Sequence, residues 1–347
     1  MAASARNDPP YEAVVVVSFG GPERREDVIP FLENVLRGRN VPRERLLEVA
    51  EHYYRFGGRS PINDQNRELM MALKAELAAK GPNLPVYWGN RNWHPLLAGT
   101  LREMASDGIR RALAFVTSAY GSYSGCRQYL DDIARAREEA GSAAPVVDKL
   151  RVFYNHPGFI DPMVRNVSKS LERVPAENRS SAEILFTAHS IPVSMTHGSP
   201  YVTQLEEACR LVAAAVGVKH YQLVYQSRSG PPSQPWLEPD ICSYLRNRAA
   251  SGGLSDVVVA PIGFTSDHLE VLYDLDTEAL GVCQALGIRM QRAATVGTDP
   301  RFVGMIRELI LERVRKGAAR QALGEAGPWP DVCPPHCCPR PVRPATR

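Results

Sequence analysis

An unpaired row of acidic residues is the first feature of the sequence that could do chemistry. The stretch GFTSDHLEVLYDLDTEALG, residues 263–281, contains five acids and no lysine or arginine. Like charges on one helix face repel, so such a row favours a wet channel in which a divalent cation or shared protons relieve the repulsion. A solvated helix face is the alternative, but the other faces are apolar and no cation lies four residues away. In a helix of about 100° per residue, four acids fall within an arc of about 80°: Asp267, Glu270, Asp274 and Glu278.

His189 is the second chemical candidate. It lies in LFTAHSIP, directly after an apolar run and next to Ser190 and a turn stiffened by Pro192. A histidine held rigidly at a strand end can accept a proton as a general base or ligate a metal. A histidine that is hydrogen-bonded inside the core is the alternative. His268, beside the acidic row, is either a partner of that row or a surface residue at a helix N-terminus.

Basic and aromatic residues elsewhere could bind a ligand. Trp93 in YWGNRNWHP either packs in the core or forms a wall against a flat aromatic ligand. The proline-rich segment 225–240 is predicted to be a rigid loop over a cleft. Four residues of the segments LRGRNVP and FGGRSPIN could bind carboxylates on a ligand: Arg37, Arg39, Arg59 and Ser60.

Seven cysteines are placed unevenly along the chain. Three of them lie singly among apolar or helical residues and are predicted to fill the core: Cys209, Cys242 and Cys283. Three more crowd into the last fifteen residues: Cys333, Cys337 and Cys338. Their spacing is not one of the common ferredoxin patterns. These thiolates could ligate an iron–sulfur cluster or a structural zinc, or form an unliganded, redox-sensitive tail.

An alternation of strands and helices must position these residues. Near-continuous apolar strands spaced by helices are typical of buried parallel sheets with helices on both faces. Ligands bind beyond the carboxyl ends of such strands, so the residues just after each strand are where chemistry is expected. The predicted strands lie at 12–19, 83–90, 111–118, 183–190, 221–227 and 256–264.

Two of these strands end alike, in SFGGP and in AHSIP, which predicts two related α/β lobes. We place an N-terminal lobe at 10–165, a C-terminal lobe at 166–318 and a tail rich in proline and cysteine at 319–347. The tail contains too much proline for a helix or a central strand. By itself it would be disordered, unless a bound group or a contact fixes it.

Composition narrows the class of protein. A chain of 347 residues with 44% hydrophobic residues and a net charge of +3 fits a globular protein of about two domains. It contains no basic run with interleaved aromatics, so nucleic acid is not an expected partner. The N-terminus MAASARNDPP lacks the apolar core of a secretory signal, and no run of about 18 apolar residues could cross a bilayer. Seven cysteines without a secretory signal favour a reducing compartment, so a cytoplasmic location is expected. A monomer is expected as well, and a loose association with a membrane or a pathway enzyme is left open.

Taken in order, eight motifs resemble those of the ferrochelatase family: SFGGP, LRGR, GGRSPIN, RNWHP, TAHSIP, QSRSGPP, WLEPD and GFTSDHLEVLYDLD. The resemblance runs from about residue 12 to about residue 315. Within the family the chain is most similar to the actinobacterial branch, whose members insert iron into coproporphyrin III and bear a 2Fe-2S cluster. The segment SAYGSYSGCRQY and the cysteine-bearing tail carry that narrower match.

The resemblance implies a chelatase-like fold of two Rossmann-like lobes that enclose a porphyrin cleft. It implies that His189 and Glu270 handle pyrrole protons and metal from opposite sides of the macrocycle. Asp274 and Glu278 match the rest of the family's acidic row and are expected to bind metal as well. The expected porphyrin contacts are Ser60, Tyr129, Arg37, Arg59 and Trp93.

The resemblance also nominates Cys126 as the fourth ligand of a 2Fe-2S cluster, with Cys333, Cys337 and Cys338. Such a cluster would explain how a proline-rich terminus becomes ordered. A zinc ion with Cys126 or His336 is the alternative. In one respect the chain departs from the family: some members have a tyrosine that can approach the metal where this chain has Glu23.

The expected reaction is insertion of ferrous iron, the metal substrate, into a porphyrin in haem biosynthesis, with coproporphyrin III favoured. Insertion requires removal of two pyrrole protons, loss of water from the cation and bending of a flat ring. Two alternative functions are compatible with the same fold: a haem or porphyrin carrier, and a cobalt or nickel chelatase that acts on another tetrapyrrole. A periplasmic-type solute-binding protein also has two α/β lobes, but the missing signal disfavours it.

Overall fold

Two parallel sheets organise the protein. The computed structural model describes residues 10–38, 41–230 and 233–340. The strands of the first sheet are β1 (Ala13–Ser18), β2 (Val86–Asn90), β3 (Arg111–Val116) and β4 (Val146–Lys149). The strands of the second are β5 (Glu183–His189), β6 (Tyr221–Gln226), β7 (Asp256–Ala260) and β8 (Arg289–Arg292). Their orders are β2-β1-β3-β4 and β6-β5-β7-β8, with every pairing parallel.

Helices connect these strands. Those of the first half are α1 (Val28–Val35), α2 (Arg43–Arg55), α3 (Ile62–Lys80), α4 (Leu97–Ser106) and α5 (Gln128–Ala140). Those of the second half are α6 (Pro157–Glu172), α7 (Tyr201–Val216), α8 (Ile241–Ala250), α9 (Leu269–Tyr273), α10 (Leu280–Ala285) and α11 (Pro300–Val314). Short 3₁₀ turns occur at Arg25–Asp27, Ala176–Asn178 and Val193–Met195. None of the described helices is both long enough and apolar enough to cross a bilayer.

Two π turns stand at corresponding places in the two halves. Tyr123–Arg127 leads from the end of β3 into α5, and Asp274–Ala279 joins α9 to α10 after β7. A π turn places one extra residue in the helical ladder, and such turns are frequent at functional sites. Both therefore mark the segments that follow the strand ends as the region to search for a site.

The apolar sequence of the strands explains the sheets. All of β1, AVVVVS, is buried, since a central parallel strand is covered by helices on both faces. The predicted fold class is confirmed, and each of the six predicted strands is present. β4 and β8 were missed because they are four-residue edge strands, VVDK and RMQR, whose residues are only partly buried.

A shared core joins the two sheets. Val14 of β1 and Phe186 of β5 belong to one buried cluster with Phe302 and Ile306 of α11. The Tyr120 hydroxyl, after β3, donates to the carbonyl oxygen of Ile262, after β7, at 2.9 Å. The predicted boundary between residues 165 and 166 falls inside α6, and the exact bounds of the two lobes stay a prediction.

Hydrogen bonds and ion pairs hold the segment after α11 against the body of the protein. The amide N–H of Leu323 donates to the carbonyl oxygen of Asn155 at 2.8 Å. The Arg151 guanidinium pairs with Glu312 at 2.8 Å and also donates to the carbonyl oxygen of Gln321 at 2.8 Å. Arg320 reaches the same Glu312 carboxylate at 3.3 Å. These contacts are fixing points that the proline-rich tail would need in order to be ordered.

Replacing Glu312 by alanine should lower the free energy of unfolding by about 3–5 kcal/mol, because Arg151 would remain buried without its carboxylate partner. Both side chains are at most 1% exposed. Urea-induced unfolding followed by tryptophan fluorescence measures the loss. Glu48→Ala is the control, since it breaks an exposed pair with Arg45 and should cost less than about 1 kcal/mol. Equal losses in the two variants would contradict the prediction.

Candidate active site

A cleft of about 1480 Å³ lies at the carboxyl ends of the strands of both sheets. Asn90 ends β2, Thr117 follows β3, His189 ends β5 and residues 263–266 follow β7, and all of them line the cleft. This is the place where open parallel sheets bind ligands. The sequence-based expectation that chemistry would follow the strand ends therefore leads to one shared cavity.

His189 has a defined tautomer. Its Nδ1 lies within hydrogen-bonding distance of the carbonyl oxygen of Ser190. A carbonyl oxygen only accepts, so Nδ1 carries a proton, and Nε2 is the nitrogen that has a free lone pair whenever the ring is neutral. That Nε2 is 3.6 Å from Oε2 of Glu270, which lies in the first turn of α9. A proton acceptor and a carboxylate thus stand side by side in the cleft.

The expectation that His189 and Glu270 face each other across a macrocycle is wrong. Atoms in van der Waals contact are about 3.5 Å apart, so a ring between the two groups would need about twice the observed separation. Both groups lie on one side because the chain after β7 returns over the end of β5. The amide of Gly263 donates to the carbonyl oxygen of Thr187 at 2.9 Å. A Cβ at Gly263 would lie 2.7 Å from Cα of Ala188, so this approach requires glycine.

The remaining carboxylates of the row lead away from this pair. Asp274, the first residue of the π turn, also lines the cleft. Glu278, one turn further, is exposed and lines an adjacent depression of about 600 Å³ together with Asp240 and Arg246. The row therefore begins in the cleft and ends at a separate depression on the surface.

Asp274 has the most perturbed carboxylate of the row. Burial raises its pKa to about 7, and the neighbouring charges of Glu270 and Glu278 act in the same direction. Hydrogen bonds from the Ser227 hydroxyl and from the Gln226 amide, the latter at 3.2 Å, oppose the shift. Near neutral pH this carboxyl group can therefore both hold and release a proton.

Two acids of the stretch have a cationic partner that the local sequence does not reveal. Arg292 of β8 pairs with Asp267 at 3.0 Å and with Asp276 at 2.6 Å. In addition, the Gln65 side-chain amide of α3 donates to the carbonyl oxygen of Asp267 and accepts from its N–H, both at 2.9 Å. Asp267 is thus a structural anchor rather than a member of an unpaired row.

His268 is a helix cap as well as a neighbour of the acids. Its Nδ1 accepts a hydrogen bond from the amide N–H of Glu270 at 3.1 Å, and the ring lines the cleft. Burial lowers the pKa of His268. A neutral ring is required for this cap, since a protonated imidazole has no acceptor.

The structure separates the predicted porphyrin contacts into two groups. Ser60, Tyr129 and Arg37 line the cleft. Arg59 pairs with Asp64, and it is not part of the lining. The other residue outside the lining is Trp93, whose ring packs edge-on against Phe31 with centroids 6.3 Å apart. Arg39, also named as a carboxylate binder, lies outside the described residues.

Aromatic residues that the sequence did not single out form much of the cleft wall. Trp236, from the predicted rigid loop, lines the cleft, as do Phe19 and Phe31. His52 of α2 stacks on Tyr273 of α9 with ring centroids 3.8 Å apart. Trp236 could have been found from its position in the loop, whereas His52 and Tyr273 meet only because α2 folds against α9.

The four cysteines nominated as cluster ligands lie together. The Cys126 thiol is hydrogen-bonded to Cys333, and the Sγ atoms of Cys337 and Cys338 are 3.5 Å apart. The hydrogen bond with Cys126 lowers the pKa of Cys333 to about 5, whereas burial raises the pKa of Cys337 to about 12. In the described part of the chain, no group of three or more His, Cys, Asp or Glu side chains is arranged to hold a metal ion.

Solved structures with the same architecture define the class of fold. SirB from Bacillus subtilis, with Fe³⁺, aligns with a TM-score of 0.51 at 12% identity and covers 89% of this chain and 96% of its own. CbiX, the terminal enzyme for biosynthesis of siroheme in denitrifying bacteria, aligns with a TM-score of 0.50 at 16% identity, covering 86% and 98%. The protein thus has a two-lobed, chelatase-like fold.

Sequence comparison identifies the family. The Ferrochelatase family model matches residues 11–314. A ferrochelatase of Rhodopirellula baltica is 57% identical over 95% of this chain and 94% of its own. A coproporphyrin III ferrochelatase of Streptomyces coelicolor is 54% identical over 97% and 96% of the two chains. The chain belongs to the ferrochelatase family, which confirms the resemblance seen in its motifs.

Replacing Asp274 by asparagine should stabilise the protein above pH 7 and have little effect in acid. With its raised pKa, the native carboxyl keeps a proton that the unfolded chain loses near pH 4. Wild-type stability should therefore fall as the pH rises from about 4 to about 7, and the asparagine variant should lack this fall. The free energy of unfolding of the two proteins is measured by urea unfolding between pH 4.5 and 8.5, in steps of about one pH unit.

The exposed Glu103→Gln on α4 is the control for this experiment, and its pH profile should follow that of the wild type. A gain in the Asp274→Asn protein that is the same at every pH would contradict the assignment, because a lost proton-binding group must change the slope of stability against pH.

Proposed function

We propose that this protein inserts ferrous iron into a porphyrin in haem biosynthesis and that the porphyrin is coproporphyrin III. The observation that carries the proposal is the pair of His189 and Glu270, 3.6 Å apart in a cleft of about 1480 Å³. Such a volume suits a large, flat ligand, and the pair supplies a proton acceptor beside a carboxylate. The choice of coproporphyrin is supported by relatives named coproporphyrin III ferrochelatase at 50–54% identity.

The first chemical task is the removal of two pyrrole protons. Nε2 of His189 is the acceptor, because Nδ1 is occupied by its hydrogen bond to Ser190. The carboxylate of Glu270 stabilises the imidazolium that forms and can accept the second proton. With both groups on one face of the ring, protons leave from the side on which the acids lie.

The second task is to move cations or protons between the cleft and the surface. Asp274 lies between Glu270 in the cleft and Glu278 at the outer depression, and its pKa of about 7 lets it change protonation state near neutrality. Carboxylate oxygens are hard ligands that can replace water on a ferrous ion stepwise. The row of carboxylates can therefore carry ferrous ions into the cleft or protons out of it.

The third task is to hold the ring in a bent form. Phe19 and Trp236 line the cleft as aromatic walls, and the buried Tyr129 lies beneath the Arg91 guanidinium, which is 4.7 Å from the centre of the Tyr129 ring. Arg37 can bind a carboxylate of the porphyrin. Binding energy from such remote groups can offset the strain of bending at the reacting centre.

Replacing His189 by alanine should lower kcat for iron insertion by about 100-fold or more, because the proton acceptor is lost. The Kd for metal-free porphyrin should change by less than about threefold, since that affinity comes from other parts of the cleft. Absorption of the metalated product measures turnover, and quenching of porphyrin fluorescence measures binding. His220→Ala, at an exposed residue before β6, is the control. A His189→Ala protein with near-normal turnover would refute this role.

We also propose that Cys126, Cys333, Cys337 and Cys338 hold a 2Fe-2S cluster. The donor set is chemically suitable, because it offers four thiols linked in a row by hydrogen bonds, from Cys126 to Cys333, from Cys333 to Cys337 and from Cys337 to Cys338. The two irons each take two thiolates, so the four sulfurs need not converge on one point as they must around a single zinc ion. When bound, such a cluster supplies redox and oxygen sensitivity, and metal insertion itself needs no electron transfer.

Protein purified without oxygen should be coloured and should contain about two iron and two sulfide ions per chain, both lost in Cys337→Ala. Visible absorption with iron, sulfide and zinc analysis measures this. Cys209→Ala is the control, because Cys209 is buried in α7, among residues of the shared core. A colourless protein that contains zinc would contradict the cluster.

The cellular location, the oligomeric state and the bounds of the lobes are predicted from the sequence. All seven cysteines are free, which supports a reducing compartment and hence a cytoplasmic location. A monomeric state and a loose association with a membrane surface or a pathway enzyme stay predictions. The lobes at 10–165 and 166–318, and the tail at 319–347, also stay predictions.

A further inference from the structure

A basic residue of the tail lies at the mouth of the cleft. Arg340 follows Cys338 by two residues, and its side chain lines the cleft of about 1480 Å³. The guanidinium lies 6.0 Å from the centre of the Tyr123 ring and donates to the Asp131 carboxylate at 3.0 Å. A segment that comes after the last helix thus supplies part of the cleft wall, on the side formed by the first π turn and α5.

The position of Arg340 depends on how the tail is docked at Cys338. The amide N–H of Cys338 donates to the carbonyl oxygen of Gly198 at 2.8 Å, and the residue is only 2% exposed. Its φ of +53° lies in the left-handed region, which is costly for a residue other than glycine and persists only when the surroundings impose it. This turn directs Arg340 back towards α5, so the cleft contact and the cysteine contacts belong to one docked unit.

The charges of the cleft are separated in a way that suits an acidic ligand. The carboxylates of Glu270 and Asp274 belong to the second half of the chain, whereas Arg135 of α5 and Arg340 beside it lie on the opposite side. The acids that line that side, Asp132 and Glu139, are paired with arginines. Arg135 is paired with the buried Asp132. The partner of Arg340, Asp131, is more accessible, and an ion pair of this kind contributes little stability, so a ligand carboxylate can replace it at small cost.

We propose that Arg340 binds a carboxylate of the substrate at the mouth of the cleft, next to Tyr123. The proposal rests on the proposed function, in which the substrate is a porphyrin with several propionate groups. A guanidinium can bind a carboxylate through two parallel hydrogen bonds, and an exposed side chain can move to meet it. The tail is thereby a determinant of porphyrin affinity, in addition to carrying three cysteines.

Replacing Arg340 by glutamine should raise the Kd for metal-free coproporphyrin III by about 5- to 10-fold, the effect expected for one charge-assisted hydrogen-bonded contact. The KM for porphyrin should rise with it, while kcat and the KM for Fe²⁺ should change less than about twofold. Arg340→Lys should recover part of the affinity, since it keeps the charge without the fork. Fluorescence quenching gives Kd, and product absorption gives the kinetic constants.

Arg127→Gln is the matched control. Arg127 lies on the same π turn as Tyr123 and pairs with the same Asp131 at 3.4 Å, yet it does not line the cleft. This variant should keep the wild-type Kd. Asp131→Asn should tighten porphyrin binding, because it removes the competitor for Arg340. Equal Kd values for Arg340→Gln and Arg127→Gln would overturn the proposal.

Folding and function are checked separately. An unfolding midpoint of Arg340→Gln equal to that of the wild type shows that a loss of affinity is local. If wild-type protein binds coproporphyrin III without inserting iron, the proposed function fails, and the binding comparison still decides the role of Arg340. If wild-type protein inserts iron and Arg340→Gln binds porphyrin as tightly as wild type does, the role of Arg340 alone fails.

Discussion

Electrostatic repulsion among the five acids of residues 263–281 is the constraint on which the site depends. The structure divides these charges among different surroundings. Arg292 neutralises Asp267 and Asp276, burial favours a proton on Asp274, and Glu278 faces water at the outer depression. Glu270 is then the carboxylate left beside the imidazole in the cleft. The acids can remain close together because they do not all carry an unbalanced charge in the same place.

The fold could be predicted because the central strands of the two parallel sheets are apolar along most of their length. The six buried runs and the two similar strand ends were enough for two α/β lobes. Each edge strand lies beside a single neighbour, and two of them, β4 and β8, are short and mixed in composition, so no pattern distinguishes them from loops. This omission had a chemical consequence, because β8 carries Arg292, the cation that pairs with two acids of the row.

The site could be predicted in its residue types but not in its geometry. The motifs identified His189 and Glu270, and the structure places both in one cleft, yet their arrangement on one side depends on the crossing of Gly263 over β5. Likewise, the anchor between Gln65 and Asp267 joins residues 202 positions apart. A pattern in one segment reports on neighbours within a turn or two, so contacts of this kind require the tertiary structure.

The first π turn connects the cluster of cysteines to the wall of the cleft. Cys126 lies within the turn, Tyr123 begins it and Tyr129 follows it in the first turn of α5. The tail meets this segment at both ends, through the contact of Cys333 with Cys126 and through Arg340 beside Tyr123. Packed protein segments shift as units rather than bending smoothly. The buried Cys126 and the cleft-lining Tyr123 and Tyr129 are therefore held by one segment of only a few residues.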